Sequence, residues 1–489
     1  MGTDLVYVAV LAILTLVGGN VVFTLFKRTR SPLSAIPGPW YSKYTDLILS
    51  YHWIRGHRAF YVHDLHRKYG PVVRLSPTEV DFTALTAVKR IHSFTNPFLK
   101  SPWYKNFVSS PFPNVFSTLD PVFHARHRRL LSAPLSDNSL KTVGASVVRE
   151  RSELTVQRIG EEMKVRGCAD VLKWWYFMAT DIIGELSFGD SFRMVEIGKK
   201  TQYALDLERV AMLGAWRSML PTLVKIAYYL PLPVLNEAAR AGQRLGLYAE
   251  KSIQRYRSME AADPHNVKPT LFTKLYRAGD EGLSPMEIKA EAQAYLIAGT
   301  DTTANTLTFL IWSVCRQKDI QKKLVEELAG LPEDFGEQEL RSLPYLDQVI
   351  QETLRLYSAA PSGLPREVPP GGVDLEGYYM PEGMTATTQA YSFHRDPAIF
   401  PEPYRFNPSR WEHETKEMKE AFMPFGCGAR ICIGLHLAQM ELRNATALFF
   451  RAFPNAKVSH LEGMSDKDME PTIYFLHVPK GERCLIQAS

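Results

Sequence analysis

Apolar positions recur every three or four residues along most of the chain, which is the spacing of amphipathic α-helices. The helices that this spacing predicts cover 121–135, 140–165, 170–188, 201–219, 235–260, 284–317, 318–329, 340–357 and 434–452. Short apolar or alternating runs predict strands near 72–82, 373–390 and 471–486. Helices followed by short strands in proline-rich chain indicate a mainly α (α+β) fold, with a large helical domain and a small β-rich part.

The N-terminal segment predicts a membrane anchor. Residues 5–26 carry no charge, and a helix of that length, at about 1.5 Å per residue, crosses the hydrocarbon core of a bilayer. The basic residues Lys27, Arg28 and Arg30 follow it, which places the rest of the chain on the cytosolic side. A cleaved signal peptide would be shorter and would have its basic residues first. We expect an uncleaved transmembrane helix, a proline-rich hinge and a cytosolic domain, with the boundaries 1–30, 31–40 and 41–489.

The composition is that of an ordinary globular protein. Of 489 residues, 45% are hydrophobic and 22% are charged, and the net charge is +5. That excess is too small to indicate a nucleic-acid partner. The five cysteines are odd in number and widely scattered, which argues against a disulfide scaffold and fits a reducing compartment.

The helix predicted over 284–317 has a polar interruption in an apolar middle. Asp301, Thr302 and Thr303 lie between apolar residues, where burial of an unpaired carboxylate is costly. One interpretation is that these side chains bond back to helix carbonyls or to buried water. The other is a polar groove that accommodates a small ligand and water.

A glycine-rich loop around Cys432 is the strongest chemical signal. Residues 425–434 read FGCGARICIG, and Cys432 comes directly before a predicted helix whose N–H groups stabilise a thiolate. The glycines allow a tight turn beside a large flat group, and Arg430 can pair with a carboxylate. This pattern suits haem iron with a cysteine ligand. Half of a zinc site with Cys427 lacks two matching ligands, and a plain buried cysteine remains the alternative.

Four motifs, in the order in which they occur along the chain, resemble those of the cytochrome P450 family, the haem-thiolate monooxygenases. The haem-loop signature F-x-x-G-x-R-x-C-x-G matches 425–434, and E-x-x-R matches 352–355. P-x-R-F matches 403–406, and the oxygen-activation sequence matches 298–303. His124 and Arg128 occupy the family's W-x-x-x-R positions, with histidine in place of tryptophan. The resemblance extends over 35–486.

The resemblance implies a role for each matching residue. Cys432 is expected to be the axial ligand of the iron of haem b. The other residues expected to bind the haem are Arg430, Arg128, His124, Arg366 and Phe425. Thr302 is expected to hydrogen-bond the oxygen that is being activated and to relay protons supplied by Asp301, and these two are the candidate catalytic residues. Glu352, Arg355 and Arg405 are expected to form a buried structural triad.

The resemblance also implies an activity and partners. The protein is expected to split O2 with electrons that NADPH supplies through an NADPH-cytochrome reductase, and to hydroxylate or epoxidise a lipophilic small molecule. The chain is similar to family members that act in fungal secondary metabolism. It is expected to lie in the endoplasmic reticulum membrane, in contact with lipid. The alternatives are isomerisation, desaturation or oxidative coupling on the same haem, or a non-enzymatic haem sensor or electron carrier.

The substrate pocket and the docking surfaces are less well marked. The aromatic, proline-rich segment 94–116 is expected to form the pocket roof. The candidate substrate contacts are Phe112, Val115, Phe116, Met212, Trp216, Ala298, Ser362, Gly363, Leu364 and Phe475. The apolar run 226–235 is expected to dip into the membrane. A basic surface formed by Arg126, His127, Arg129, Lys416 and Lys419 is expected to receive an acidic reductase.

Overall fold

The computed structural model describes residues 2–107, 112–219, 221–227, 233–263, 269–273, 275 and 282–488. Its α-helices are α1 (Gly2–Thr29), α2 (Leu47–Ile54), α3 (Arg58–Tyr69), α4 (Leu85–Ile91), α5 (Trp103–Phe107), α6 (Pro121–Ser132), α7 (Asp137–Val143), α8 (Ala145–Arg166), α9 (Val171–Phe188), α10 (Met194–Ile197), α11 (Gln202–Met219), α12 (Pro221–Ala227), α13 (Pro233–Ala262), α14 (Pro285–Cys315), α15 (Lys318–Ala329), α16 (Glu337–Arg341), α17 (Pro344–Tyr357), α18 (Ala390–Phe393), α19 (Lys416–Ala421) and α20 (Leu435–Ala452).

The strands are short and form small sheets. They are β1 (Val72–Ser76), β2 (Glu79–Phe82), β3 (Leu99–Lys100), β4 (Ala169–Asp170), β5 (Arg366–Glu367), β6 (Val373–Leu375), β7 (Tyr378–Met380), β8 (Thr385–Thr387), β9 (Lys457–Val458), β10 (Pro471–Ile473), β11 (His477–Pro479) and β12 (Leu485–Gln487). The fold is therefore mainly helical with a small β-rich part, as expected.

The largest sheet has the strand order β1-β2-β8-β5-β3. β1 and β2 form an antiparallel hairpin, β2 runs parallel to β8, and β5 runs antiparallel to both β8 and β3. In the last pair, Lys100 of β3 lies opposite Arg366 of β5. The other strands form the sheet β4-β12-β9 and the hairpins β6–β7 and β10–β11. The register thus places two cationic residues side by side at one edge of the main sheet.

The main hydrophobic core lies between the long helices α8, α9, α14, α17 and α20. α14 begins at a capping box in which Ser284 and Glu287 each bond the other's backbone N–H, with Pro285 at the first helical position. At Gly299 a Cβ would lie only 2.9 Å from Ile183 Cγ1 of α9. Glycine therefore permits the close approach that fixes the middle of α14 against α9.

The predicted helices are confirmed, with shifted ends and two divisions. The helix predicted over 140–165 divides at Gly144 into α7 and α8, and the one predicted over 340–357 divides into α16 and α17. The predicted strand regions contain β1 and β2, β6 to β8, and β10 to β12. The sequence pattern missed α2, α3 and α4. In α3 three polar residues, Arg58, His63 and His66, are buried, and His66 bonds Asp81 at 2.8 Å. Their burial obscures the apolar period.

A buried ion cluster fixes α17 against the chain that leads to the cysteine loop, and we call it the Glu352 cluster. Glu352 and Arg355 are fully buried and share hydrogen bonds of 2.9 and 2.8 Å. Arg410 Nε and Trp411 Nε1 donate to the same carboxylate at 3.0 and 2.9 Å. A buried ion pair is stable only when its charges and hydrogen-bonding positions are satisfied, and this cluster meets that requirement.

The prediction that Arg405 completes this cluster is wrong. The Arg405 guanidinium is exposed and pairs with Glu402 at 3.1 Å, and only its backbone C=O accepts from Arg355, at 3.2 Å. The chain carries two successive Pro-x-Arg-aromatic sequences, and the turn between them directs the second arginine, Arg410, to Glu352. The motif letters alone could not distinguish the two arginines.

The N-terminal helix α1 has exposed apolar side chains. Tyr7, Leu11, Val22 and Phe23 are all more than half exposed. Among the residues that the structure describes, no helix combines the length and the apolarity needed to cross a membrane. The transmembrane anchor therefore stays a prediction.

Candidate active site

The cysteine loop, residues 423–434, is a tightly turned segment directly before α20. The Cys432 N–H donates to the Phe425 C=O at 2.9 Å and closes the loop. A short 3-10 turn begins at Gly428, where φ is +67° and a Cβ would lie 1.6 Å from the carbonyl oxygen of His92. Only glycine fits there, so the sequence secures the close approach of the loop to the chain at His92.

Cys432 is exposed although protein atoms surround it densely, which indicates a cavity beside its thiol. Burial raises the pKa of the Cys432 thiol, while a hydrogen bond from the Gly434 N–H and the charge of Arg128 act in the opposite direction. Coordination to a metal ion deprotonates a thiol outright. The side chain is therefore placed to ligate a group that enters this cavity.

The middle of α14 is accessible in the same way. Ala298 is exposed and Thr302 half-buried, one helical turn apart, although their neighbours along the helix are mostly buried. Thr302 Oγ1 donates to the Ala298 C=O at 2.7 Å, so the bonding back to the helix that one interpretation required is present. Tyr295 of the same helix lies close enough to Cys432 and Arg128 for their charges to interact. α14 therefore offers a polar, accessible turn near the cysteine loop.

Asp301 lies next to Thr302 but on a different side of α14. The charged groups nearest its carboxyl are Glu208 and Lys200, which form an ion pair with each other. Burial, followed by the charge of Glu208, raises the pKa of Asp301 to about 6. A carboxyl with such a pKa exchanges its proton near neutral pH, which suits a group that supplies protons.

Helix α6 brings two of the predicted haem-binding residues to the cysteine loop. Arg128 Nη1 donates to the Ile431 C=O at 2.7 Å. His124 is buried, and burial and the nearby guanidinium groups lower the pKa of His124 to about 3. His124 is therefore a neutral imidazole, which donates a single N–H bond.

The main sheet adds a residue that sequence reasoning missed. Lys100 is buried opposite Arg366, and its Nζ lies 4.0 Å from the ring centroid of Tyr104 and 4.2 Å from that of Phe116. Burial, followed by the charges of Arg366 and Arg430, lowers the pKa of Lys100 well below its ordinary value. A lysine in an otherwise aromatic stretch was the available signal, but strand register was needed to place it.

We call the cations Lys100, Arg128, Arg366 and Arg430, together with the neutral His124 beside them, the cation cluster. Arg430 Nη1 donates to the Thr118 C=O at 3.4 Å, and Arg366 Nη1 to the Tyr104 hydroxyl at 3.1 Å. Burial, followed by the charge of Arg366, lowers the pKa of Arg430 to about 10. Among the described residues, no carboxylate forms an ion pair with these cations, and the charged groups that act on Lys100, Arg128 and Arg430 are other cations, tyrosines and a cysteine. Uncompensated buried charge is costly, so the cluster is suited to an anionic ligand.

Sequence reasoning also missed a buried acid, Glu441. Glu441 of α20 is 2% exposed, and its Oε2 has no hydrogen-bond partner among the described residues. Burial raises the pKa of Glu441 well above its ordinary value, and a hydrogen bond with Thr303 opposes that shift. The carboxyl thereby links the helix after Cys432 to the residue after Thr302.

The predicted pocket roof contains a cluster of aromatic rings. The rings of Trp103, Phe107, Phe116 and Phe475 lie 5.0 to 6.1 Å apart. Such spacing is that of directly interacting aromatic side chains. The roof segment therefore adjoins the cation cluster, because Lys100 lies over Phe116.

The other candidate substrate contacts differ in their exposure. Val115 and Leu364 are half-buried and Phe112 is exposed, whereas Ser362 and Gly363 are buried in packed protein. At Gly363 a Cβ would lie 2.6 Å from Thr387, so the expectation that Ser362 and Gly363 contact substrate is not met. The side chains of Met212 and Trp216 lie outside the description, as do five residues of the predicted membrane-facing run, 228–232.

The predicted basic docking surface needs a correction at His127. His127 is fully buried between Glu287 and Glu291, because it lies on the inner side of α6. Arg126 pairs with Glu287 at 3.0 Å and Lys419 with Glu414 at 3.2 Å, which partly neutralises the surface. The side chains of Arg129 and Lys416 are exposed as expected.

The residues of this region fit a haem group. Haem combines a flat ring and an iron with two carboxylates, and the structure offers a close-turned glycine loop, an accessible thiol and an uncompensated cation cluster. Cys432 would ligate the iron, and the cation cluster would bind the carboxylates. Phe425, half-buried in the same loop, would lie beside the ring.

Comparison with known proteins agrees with this fit. The family model described as Cytochrome P450 matches residues 39–485. The chain is 46% identical to Cytochrome P450 monooxygenase tazI of Aspergillus terreus, over 95% of this chain and 96% of that protein. It is 36% identical to Cytochrome P450 monooxygenase stcB of Emericella nidulans, over 93% and 88% of the two chains. It is 31% identical to Benzoate 4-monooxygenase bphA of Aspergillus niger, over 92% of each. The resemblance found in the sequence is confirmed: the chain belongs to the cytochrome P450 family and is a monooxygenase.

Proposed function

We propose that the protein binds haem b through Cys432 and uses O2 and NADPH-derived electrons to hydroxylate or epoxidise a lipophilic small molecule in fungal secondary metabolism. The observation that best supports the haem site is the accessible thiol beside a cation cluster without a carboxylate. The metabolic setting rests on similarity to Aspergillus and Emericella monooxygenases. The aromatic roof and the relative named for benzoate favour an aromatic substrate.

Different groups of the chain are proposed to orient the haem and to stabilise the thiolate. Thiolate-ligated haem supplies reductive cleavage of O2. The cation cluster would orient that group through its carboxylates, and the Gly434 N–H would stabilise the negative charge of the Cys432 sulfur.

Thr302 and Asp301 are proposed to handle protons. The Thr302 hydroxyl donates to the Ala298 C=O and, by rotating, can donate into the cavity instead. Asp301, with a pKa of about 6, can supply the next proton from the Lys200 and Glu208 side.

Substitution of Thr302 tests this division of roles. Thr302→Ala should keep the thiolate-type spectrum but consume NADPH with more peroxide and less product, by about tenfold or more, since proton relay contributes factors of about 100 to 10,000. Thr308→Ala is the matched control, because Thr308 also bonds back to the helix, at 2.7 Å, but is fully buried. Equal coupling in the two variants would remove Thr302 from the relay.

Isomerisation, desaturation and oxidative coupling are the alternative reactions of the same haem fold. The pair of Asp301 and Thr302 favours an O2-dependent reaction over isomerisation, because isomerisation needs no proton delivery to oxygen. Desaturation and oxidative coupling also reduce O2, and the oxygen count of the product distinguishes them from hydroxylation. A non-enzymatic haem carrier is disfavoured because the relatives are named monooxygenases.

We also propose that residues 1–30 hold the protein in the endoplasmic reticulum membrane, with residues 31–40 as a hinge and residues 41–489 as the cytosolic catalytic domain. The uncharged run and its basic flank support this arrangement. Retention of the full chain in carbonate-washed membranes, and release of a chain that starts at residue 31, is the expected result. Release of both chains would contradict it.

A reductase is proposed to dock over the cysteine loop. A surface concavity there is lined by Arg128, Arg129, Gly428, Ala429 and the exposed Phe94. The exposed Arg129 in this lining suits an acidic electron donor.

A metabolite comparison tests the function. The source organism and a strain that lacks this gene are compared by mass spectrometry after growth under 18O2. Accumulation of a precursor one oxygen lighter than the lost product, with 18O in that product, is the expected result. A precursor with the same oxygen count would indicate isomerisation, desaturation or coupling.

A further inference from the structure

A compact turn at residues 114–118 lies where three parts of the site meet. Asn114 Oδ1 accepts from the N–H groups of Phe116 and Ser117 at 3.1 and 2.9 Å, which closes the turn locally. The Phe116 C=O accepts from Lys100, and the Thr118 C=O accepts from Arg430. The turn therefore touches the cation cluster at two carbonyls and holds the Phe116 ring in the roof.

One amide of this turn is bound by a buried acid of α14. The Val115 N–H donates to Glu291 Oε1 at 2.8 Å. Glu291 is fully buried, and its Oε2 has no hydrogen-bond partner among the described residues. This is the bond, in the described part of the chain, by which the turn is attached to the helix that carries Thr302.

His127 holds that acid in place. Its Nδ1 lies 2.7 Å from the same oxygen of Glu291, and its Nε2 lies 3.1 Å from Glu287 Oε1. The imidazole is fully buried and stacks on the ring of Phe123 at 3.7 Å. With a carboxyl group within hydrogen-bonding distance of each ring nitrogen, His127 fixes where Glu291 can lie.

The two faces of α6 thus serve different tasks. His124 and Arg128 lie in the cation cluster, while His127, between them in sequence, lies against α14. A shift of α6 relative to α14 would move the turn and the cation cluster together.

We propose that Glu291 and His127 are positioning residues that set turn 114–118, and with it the Phe116 ring, over the proposed haem site, so that they determine which ligands the pocket accepts. The inference rests on the proposed function, because it takes the space under the roof as the substrate site. Neither residue touches the reacting atoms. Their effect is expected on ligand size discrimination and not on iron ligation by Cys432.

Ligand discrimination in the holoenzyme tests the proposal. The probes are imidazole, which is small, and 4-phenylimidazole, which ligates haem iron with a ring that must fit under the roof. Glu291→Leu and His127→Phe should weaken 4-phenylimidazole at least about tenfold and imidazole by less than about threefold, since a buried hydrogen bond that positions the turn is lost. Glu291→Gln, which keeps an acceptor for the Val115 N–H, should recover most of the affinity.

Glu287→Gln is the matched control. Glu287 lies on the same helix as Glu291 and bonds His127 and Arg126 of α6, but it does not touch the turn. Its substitution should change the ratio of the two affinities by less than about threefold, as expected for a rim contact. An equal loss in the Glu287 and Glu291 variants would reduce both to general stabilisers of α14 and overturn the proposal.

Amide hydrogen exchange in the wild-type holoenzyme keeps the test independent of variant folding. The Val115 amide should exchange as slowly as the amides in the middle of α14, and far faster in Glu291→Leu, which removes the acceptor, than in Glu291→Gln, which keeps it. Exchange of the wild-type Val115 amide at the rate of an exposed loop would overturn the proposal. A thiolate-type spectrum of the carbon monoxide complex in each sample shows separately whether the proposed haem site stands.

Discussion

The Glu352 cluster and the cation cluster both bury arginine side chains, but they balance the charge differently. In the first, one carboxylate accepts from Arg355, Arg410 and Trp411, and backbone carbonyls accept further N–H groups of the two arginines, so each buried arginine has an acid as a partner. In the second, the described residues supply no carboxylate, although Arg366 and Lys100 lie side by side. Buried charge that the protein compensates indicates a structural role, and buried charge that it leaves uncompensated indicates a ligand of the opposite sign.

Removal of Glu352 should have the largest effect. Glu352→Ala would leave Arg355 and Arg410 buried without an acid, and we expect a loss of about 3–5 kcal/mol in the free energy of unfolding. Urea unfolding followed by circular dichroism measures it. A loss below about 1 kcal/mol would show that the cluster is not compensated as the structure indicates.

The next largest effect should distinguish the arginines of the two Pro-x-Arg sequences by their contribution to the free energy of unfolding. Arg410→Ala is expected to cost about 3 kcal/mol, because it removes a buried donor to Glu352. Arg405→Ala is the matched control, and its exposed guanidinium should cost less than about 0.5 kcal/mol. The reverse order would restore the original prediction for Arg405.

Substitution in the cation cluster should act on haem and not on folding. Arg366→Met removes one of two adjacent buried cations, so we expect haem to transfer to apomyoglobin about tenfold faster, about 1.4 kcal/mol of lost binding. The free energy of unfolding of the apoprotein should stay unchanged or rise, since like charges are separated. A destabilised apoprotein with unchanged haem transfer would place Arg366 with the structural arginines.

Asp301 gives the most gradual effect, through pH. Burial raises the pKa of Asp301 to about 6 in the folded protein, so the folded state binds more protons than the unfolded state between about pH 4 and 6. Its contribution to stability is therefore present below pH 4 and is lost as the pH rises through 6. Asp301→Asn should flatten this slope, by less than about 1.4 kcal/mol per pH unit. An unchanged slope would mean that Asp301 is not buried as a carboxyl.

Local patterns made much of the molecule predictable. The apolar period found the long helices, and the loop around Cys432 and the polar turn at Asp301 and Thr302 each lie within one short segment. Arg410 was missed because the direction of an arginine depends on a turn that motif letters do not specify. Lys100 was missed because strand register pairs it with Arg366 from a distant segment.

His127 shows the same limit on a single helix. Its neighbour Arg128 bonds the cysteine loop, but one residue is a rotation of about 100° around α6, which turns His127 toward Glu291. A run of basic letters does not specify which of them face solvent. His127 faces the protein interior because its partner, Glu291, lies on α14.

The claim that the cation cluster is completed by the carboxylates of haem can be measured directly. Apoprotein is titrated with haem and with haem dimethyl ester, whose carboxylates are neutral, for the wild type and for the Lys100→Met/Arg366→Met double variant. The account predicts that the wild type binds haem at least about a hundredfold more tightly than the ester, as for two or more charged hydrogen bonds, and that the double variant loses most of this preference. Equal affinity of the wild type for haem and its ester would contradict it.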